Sequence, residues 1–592
     1  MVWILPTFSQ LLLAFTIAAI GTLLLGAGSV LGGKRALEQG SALWLGWGLL
    51  TLIATLGGAA GVPLSITYLP IAGLGLWGLW LHRGQLQGWG ALLLVGTPVL
   101  VLAAMSHVVM WDDFAHRLGS AKFLWEHNAF PRPDLPASVS GLPGYPYGLS
   151  FIDHAASLLL GQYVETAMAA FGGLQVLVFG WLVAQVVGVN GLWARAAAAV
   201  LVGVVLNPLF INHLVFSGYN DTSTALATAV VLVLVWQFWP SLTKPQAPRT
   251  LWQNSLCIGL AACVVVGQKQ VAILLPALIG LGVLLEALRH NLWRKPQLWQ
   301  AMLGVGALPV LLFGVWQWYV KTYIPAGDLP INPPNWYLWQ GVLSGMGKQA
   351  WENPHLFMGH IVLILLAIEN HFRPFTHASL RTLLHMTLPL MLGYTALMWL
   401  AYLVTFSPFE ATNAASFERY SQHVAWASWL VCLLAFIPWL QRRAVFVRFP
   451  RATAYACMAL AIAAPILLQP VWLVQAPQGT VAMRQIAEQL RAQLPANAKL
   501  MLYDPQGHGY AHTILEYDLG ARMLNNRLVS SFHPVPATGL PALLNEHRVT
   551  HVLILSQDAH LNNIIAPLPP VGQVTLLERP GLAWVDIAMP QK

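Results

Sequence analysis

Four residues able to move protons or grip anions stand together in Met110–Arg117, MWDDFAHR: Asp112, Asp113, His116 and Arg117. They follow Ala91–Met105, a run without a single charged residue. In a helix, Asp112 and His116 share a face, as do Asp113 and Arg117. A carboxylate in this position can act as general base, and an arginine can hold an anion. The plain alternative is a surface ion pair, Asp113 with Arg117, behind a helix cap, Asp112. Charge at the edge of an apolar run is costly and tends to serve function, which favours the chemical reading. Mg²⁺ or Mn²⁺ is the cofactor such a pair of oxygen ligands would take. Neighbouring helical residues point about 100° apart, however, so a metal-independent base is expected.

Further groups recur along the chain. PDLPASVSGLPGYPYGLSFIDHAAS is rich in Gly, Pro and Tyr and suits a loop folded over a cavity, with Tyr145 and Tyr147 as candidate substrate contacts. His154, beside Asp153, is a candidate acceptor or metal contact, with simple polar packing the favoured alternative. Lys269 interrupts apolar sequence in VVVGQKQVAILLP, where a lysine either faces a cavity or an anion, or snorkels to the interface. Arg419 and Tyr420 in SFERYSQHVAW precede another apolar run, and the arginine either grips phosphate or pairs with Glu418. Asp221 in FSGYNDTSTALA is a candidate second acidic group, although a helix cap at Asn220–Asp221 is favoured. His508 and His512 have the spacing of two zinc ligands, but Gly509 weakens a helix there and no further ligand is evident.

The elements that position these residues are dictated by composition. Of 592 residues, 57% are hydrophobic and 9% charged, and mean hydropathy is +0.61. A soluble chain carries about 25% charge, so most of this surface must face lipid. The 26 tryptophans suit interfacial belts. The net charge of +8 is no nucleic-acid signal, because Lys and Arg sit mainly in short gaps between apolar runs. The four cysteines all lie in apolar runs, so no disulfide framework is expected. No cleavable signal peptide is expected, since the first apolar run leads into Lys34-Arg35.

Spans are expected near 8–33, 42–60, 62–81, 89–107, 165–188, 192–212, 220–239, 252–267, 271–288, 298–320, 355–371, 382–404, 421–440 and 452–474, about fourteen in all. Alternate gaps hold fifteen basic residues, the other gaps only seven, although the latter are far longer. The first set is therefore cytoplasmic. Acidic residues go the other way, with only Glu38, Glu286 and Glu369 on the basic side. Loops 108–164, 321–354 and 405–420 then face outward, and so does a different material, residues 476–592. In that tail TVAMRQIAEQLRAQL has helical spacing, while KLMLYD, THVLILS, VTLLER and LAWVDIA read as strands. The expected fold class is mainly α: a polytopic transmembrane bundle over 1–475 with a C-terminal extracytoplasmic α/β domain over 476–592. No nucleotide motif, internal repeat or low-complexity tract is present.

An acidic pair in the first large outer loop, WDDFAHRLGSAKFLWEHNAFP, followed by YPYG and many spans, resembles the GT-C superfamily of integral-membrane glycosyltransferases. The loop is similar to that of protein O-mannosyltransferases and lipid A aminoarabinose transferases. The resemblance implies a polyprenyl-phosphate sugar donor, such as undecaprenyl phosphate, a catalytic carboxylate at Asp112 or Asp113, and phosphate contacts at Lys269 and at Arg419-Tyr420. It covers the membrane region in architecture and a few dozen residues in motif. Three spans precede the one leading into the acidic loop, where many members have one. The expected function is transfer of a sugar to a glycan, lipid or protein acceptor on the outer face of a bacterial inner membrane. A transporter or lipid flippase would instead need mid-span charge and related halves, neither of which is seen. A non-catalytic scaffold would be indifferent to loss of Asp112 and Asp113.

Overall fold

A computed structural model of the chain describes residues 4–206, 215–243, 247–324, 332–375, 377–441, 450–531, 534–535, 539–556, 574–578 and 584–587. Each of the fourteen expected spans overlaps a helix, although residues 207–212 of the one expected at 192–212 lie outside the described residues, and twelve helices among the described residues are long and apolar enough to cross a membrane. The other two are Leu192–Leu206 and Phe417–Gln441. The chain is a multi-pass helical membrane protein carrying a small C-terminal sheet. Its residues gather into two compact units, one of 1–106, 128–130 and 144–473, the other of 107–127, 131–143 and 474–592.

Local chemistry sets the helix ends of the first unit. Phe8–Gln39 starts on a capping box, Thr7 with Gln10, and breaks at Gly33, whose φ of +68° disfavours a side chain. The expected end of the first span therefore falls at that break, just before the basic pair. The short polar-headed run expected at 252–267 is lengthened by Pro248, which starts Pro248–Val266 with its fixed φ and missing donor. Phe8–Gln39 and Ser41–Ala59 approach closely enough that a Cβ on Gly28 would strike the Ala42 carbonyl and one on Gly46 the Leu24 carbonyl. Small residues of this kind let backbones meet where no hydrophobic force draws helices together in lipid. Because successive spans reverse direction, the start of Asn220–Thr243, the end of Pro248–Val266 and the start of Phe417–Gln441 share one end of this unit. The basic gaps around Lys34, Arg83 and Arg195 lie at the other.

The second unit is α/β. Its sheet has the order β2-β1-β3-β4-β5, with β1 Leu500–Asp504, β2 Met523–Ser530, β3 His551–Ile554, β4 Val574–Glu578 and β5 Trp584–Ile587. β1 runs parallel to β2 and β3, and the last two strands return antiparallel. Alternation along β1 sends Leu500 and Leu502 into one core, with Ile486 and Leu490 of the helix Gln478–Gln493, and Met501 and Tyr503 into the other. The four expected strands are present; β2, MLNNRLVS, goes unread in the sequence because Asn and Arg interrupt its apolar pattern. His508 lies outside the helix Tyr510–Leu519 that carries His512 and bonds Ser531 Oγ at 3.0 Å, so the two do not form one ligand pair.

Burial in this unit pushes the Glu516 carboxyl up to about 7. A carboxyl whose folded pKa is raised stabilises the fold below its ordinary unfolded value near 4.5. That contribution is lost as pH rises from there through about 7. Hydrogen-exchange protection of β1 in the full chain, corrected for intrinsic rates, should fall between pH 5 and pH 8 less steeply in Glu516→Gln than in wild type. Equal slopes would show that Glu516 has an ordinary pKa.

Candidate functional site: one buried carboxylate and three basic groups

Asp221, 1% exposed in the first turn of Asn220–Thr243, is the centre of an ionic group in the helical unit. Its Oδ1 accepts from Lys269 Nζ at 2.6 Å and from His423 Nε2 at 2.8 Å. Arg419 Nε lies 3.7 Å from its Oδ2. The favoured reading of Asp221 as a helix cap is therefore overturned: its oxygens serve basic side chains from two other segments. Lys269 stands where Pro248–Val266 ends at Gly267, in extended backbone with φ −149° and ψ 143°. That interruption lifts the lysine out of the helical repeat and turns it toward Asp221 rather than toward lipid. Arg419 comes from the first turn of Phe417–Gln441, and His423 follows one turn later on the same helix.

Aromatic rings flank the cations. Lys269 Nζ lies 5.0 Å from the centre of the Tyr420 ring, and the Arg419 guanidinium lies 4.8 Å from that of Tyr219 and 5.1 Å from that of Tyr420. Such faces stabilise a cation by about 0.5–2 kcal/mol when water is thinned. Tyr394 Oη is 2.6 Å from His423 Nδ1. In the neutral tautomer that satisfies both nitrogens, Tyr394 O–H donates to Nδ1 and Nε2–H donates to Asp221. The lysine and arginine side chains are only 11% and 13% exposed, and the Glu418 carboxyl, next to Arg419, lies close enough to act on both Arg419 and Asp221. Desolvated, preorganised charge of this kind suits a phosphate. Next to the ionic residues in sequence, the Asn220 and Gln268 side-chain oxygens and both amide atoms of Gln422 are buried without a partner among the described residues. Hydroxyl groups of a ligand or ordered water satisfy such atoms.

The YPYG segment is pinned to the same helix break. Gly148 N–H donates to Gly267 O at 2.9 Å. Gln270 Nε2 and Trp316 Nε1 donate to Gly144 O at 2.6 and 2.7 Å, and Trp47 Nε1 donates to Gly148 O at 3.0 Å. Tyr147 is buried, and its ring packs against Phe130, Phe151 and Trp316, which helps hold the segment in place. Tyr145 is half-buried in the same segment. A Cβ on Gly148 would lie 2.6 Å from Gly267 O. Gly148→Ala should thus force the segment off the break at a cost of about 1–3 kcal/mol. Heating in detergent followed by size exclusion should show the loss, and a wild-type profile would place the segment elsewhere.

His154 is apart from this group. Its Nδ1 bonds Tyr68 Oη at 2.8 Å, the partner that simple polar packing requires. Burial holds His154 down to about 4. Asp112, Asp113, His116 and Arg117 belong to the second unit. There Asp113–Arg117 forms a turn of π-helix, a rare form often found at functional sites. Asp112 is itself in helical backbone, φ −65° and ψ −21°, not the extended conformation of a capping residue. Asp113 is fully buried and Asp112 half-buried. Phe114 packs edge-on to Tyr510 and Tyr517 of the helix Tyr510–Leu519, and Tyr510 O–H donates to Val109 O at 2.5 Å. Among the described residues no three His, Cys, Asp or Glu side chains are arranged to hold a metal ion.

Sequence reasoning singled out Asp221, Lys269, Arg419 and Tyr420, which the fold brings together, but not His423, Tyr394 or Tyr219. His423 was accessible, since it lies four residues after Arg419 and so on the same helical face. Tyr394 sits in an uncharged apolar stretch and gave no signal.

Fold and site thus define a multi-pass membrane protein with a buried, cation-rich polar centre at one end of its helices. No family model matches the chain, and no curated protein matches it. Among solved structures it is similar to the oligosaccharyltransferase of Archaeoglobus fulgidus in its apo form, with TM-score 0.43 and 12% identity over 79% of this chain and 69% of that one. The same enzyme, AglB, in complex with an inhibitory peptide and a dolichol-phosphate gives TM-score 0.38 and 11% identity over 79% and 69%. Its complex with Zn and sulfate gives 0.36 and 12% over 78% and 67%.

Proposed function

We propose that this chain is a GT-C-type membrane glycosyltransferase that takes its sugar from a polyprenyl-phosphate donor. The observation that carries the reading is the convergence of Lys269, Arg419 and His423 on Asp221 from separate helical segments. Asp221 holds the two cations side by side, where they can receive the donor phosphate. The acceptor is a glycan, lipid or protein hydroxyl. Its oxygen forms the new bond to the anomeric carbon while the bond from that carbon to the phosphate oxygen breaks, with inversion. The hydroxyl proton passes to a carboxylate, and the electron pair leaves on the phosphate, where Lys269 and Arg419 stabilise it. Asp112 is the better base of its pair, being less buried than Asp113. The excess of basic residues in the alternate gaps supports an extracytoplasmic location for this chemistry and the C-terminal domain, on what we take to be a bacterial inner membrane.

Purified protein offered a panel of undecaprenyl-phosphate sugars should consume one of them. Asp112→Asn should lower that turnover by about 10²–10⁴-fold, the range of general base catalysis, while leaving the protein monodisperse. Asp113→Asn acts on stability instead. Equal turnover in wild type and Asp112→Asn would remove Asp112 from the mechanism. A second reading, transport, gains from Glu286, which is 2% exposed at the opposite helix ends and bonds His385 Nδ1 at 2.9 Å and Thr382 Oγ1 at 3.2 Å. Paired intramembrane ionic groups mark transport pathways. Flux of an intact lipid-linked sugar across proteoliposomes without sugar release would favour it.

A further inference from the structure

A cavity of about 470 Å³ lies at the end of the helical unit away from Asp221. It is lined by Glu38, Gln85, Trp89, Trp181, Gln185 and Arg195, among others. The Arg195 guanidinium lies 5.3 Å from the centre of the Trp181 ring, and its Nε and Nη2 donate to Val189 O at 3.3 and 3.2 Å. Those bonds orient the guanidinium but leave its charge uncompensated. Glu38, the single acid lining the cavity among the described residues, pairs with Lys34 at 3.5 Å. The indole N–H groups are spent, Trp89 on Thr22 Oγ1 and Trp181 on the Glu38 carbonyl, both at 2.8 Å. The side-chain oxygens of Gln85 and Gln185 are the reverse case: buried acceptors without a donor among the described residues.

The cavity therefore wants one anionic group and hydroxyl donors beside it. Its surroundings say where such a ligand comes from. Trp80 and Trp193, 63% and 49% exposed, flank this end of the helices and offer apolar surface to acyl chains. Lys34, Arg35 and Arg83 make the same end basic. We infer that this cavity binds the headgroup of an anionic glycerophospholipid, its phosphate on Arg195 and its glycerol hydroxyls on Gln85 and Gln185. Basic recesses between spans on the cytoplasmic side are suited to such headgroups. The inference is independent of the reaction assigned to the other end.

The test is native mass spectrometry of the full chain in detergent, titrated separately with dioleoyl phosphatidylglycerol, dioleoyl phosphatidylcholine and free glycerol 3-phosphate. Wild type should retain the glycerol lipid roughly fivefold more tightly than the choline lipid, the effect of about one well-placed charge. Arg195→Gln should bring the two lipids level while leaving donor turnover unchanged. If that variant does not yield monodisperse protein, Gln185→Glu decides instead, since a carboxylate in the cavity repels the anion and should erase the same preference. Equal retention of both lipids by wild type overturns the proposal, as does an unchanged preference in the folded variant. Displacement of the lipid by equimolar glycerol 3-phosphate overturns it in favour of a soluble ligand.

Discussion

Asp221→Leu should cost about 3–5 kcal/mol of stability, the usual penalty for removing one member of a buried ion pair. The carboxylate it deletes accepts from Lys269 and His423 and faces Arg419. Without it, two cations are left close together in a site where water is scarce, and neither can relax to solvent. The double variant Asp221→Leu/Lys269→Met should recover part of that loss, because it removes one of the stranded charges. Such recovery is the coupling a double-mutant cycle measures. Recovery of monodisperse protein after graded heating in detergent reads both. Equal losses in the single and double variants would mean that Asp221 and Lys269 do not share a buried site.

The second large effect concerns turnover. Arg419→Ala should lower release of sugar from the polyprenyl-phosphate donor by about 10²–10³-fold, the cost of removing one preorganised charge from a departing anion. Arg419→Lys should restore only part of this. The ammonium keeps the charge but loses the planar fork that stacks between Tyr219 and Tyr420. Its stability should stay close to that of wild type, since Lys269 and His423 still hold Asp221. If Arg419→Ala turns over the donor at the wild-type rate, the phosphate is held elsewhere and the proposed role of the ionic group fails. If donor consumption falls but transport of intact donor persists, the group serves passage of the lipid rather than chemistry.

Much of this architecture was readable from the chain because lipid imposes a simple rule. A span needs a long apolar run, and the gaps declare themselves by charge. Even the interruption at Lys269 was visible, as a lone charge behind Gly267. What sequence alone could not supply was convergence. Asp221, Lys269 and Arg419 are separated by 48 residues and more along the chain, and no periodicity within one helix says which ends meet. The favoured cap at Asp221 was a sound local reading that tertiary contact displaced. Tyr394 was hidden for a different reason: a tyrosine in an apolar span is ordinary until the histidine it bonds is known. In the tail, β2 escaped because its Asn and Arg residues break the apolar alternation that marks the other strands.

The interrupted backbone at Gly267–Lys269 also bears on how the chain is made. The turn joins two spans with its Gly267 and Gln268 carbonyls buried, so those carbonyls need partners for the two spans to settle. Those partners are Gly148 N–H on Gly267 O and Asn220 Nδ2 on Gln268 O. Both precede the break in sequence. A nascent chain entering the bilayer from its N-terminus thus finds the sockets laid down before the turn arrives, and the buried carbonyls need not wait for a later span to supply their donors.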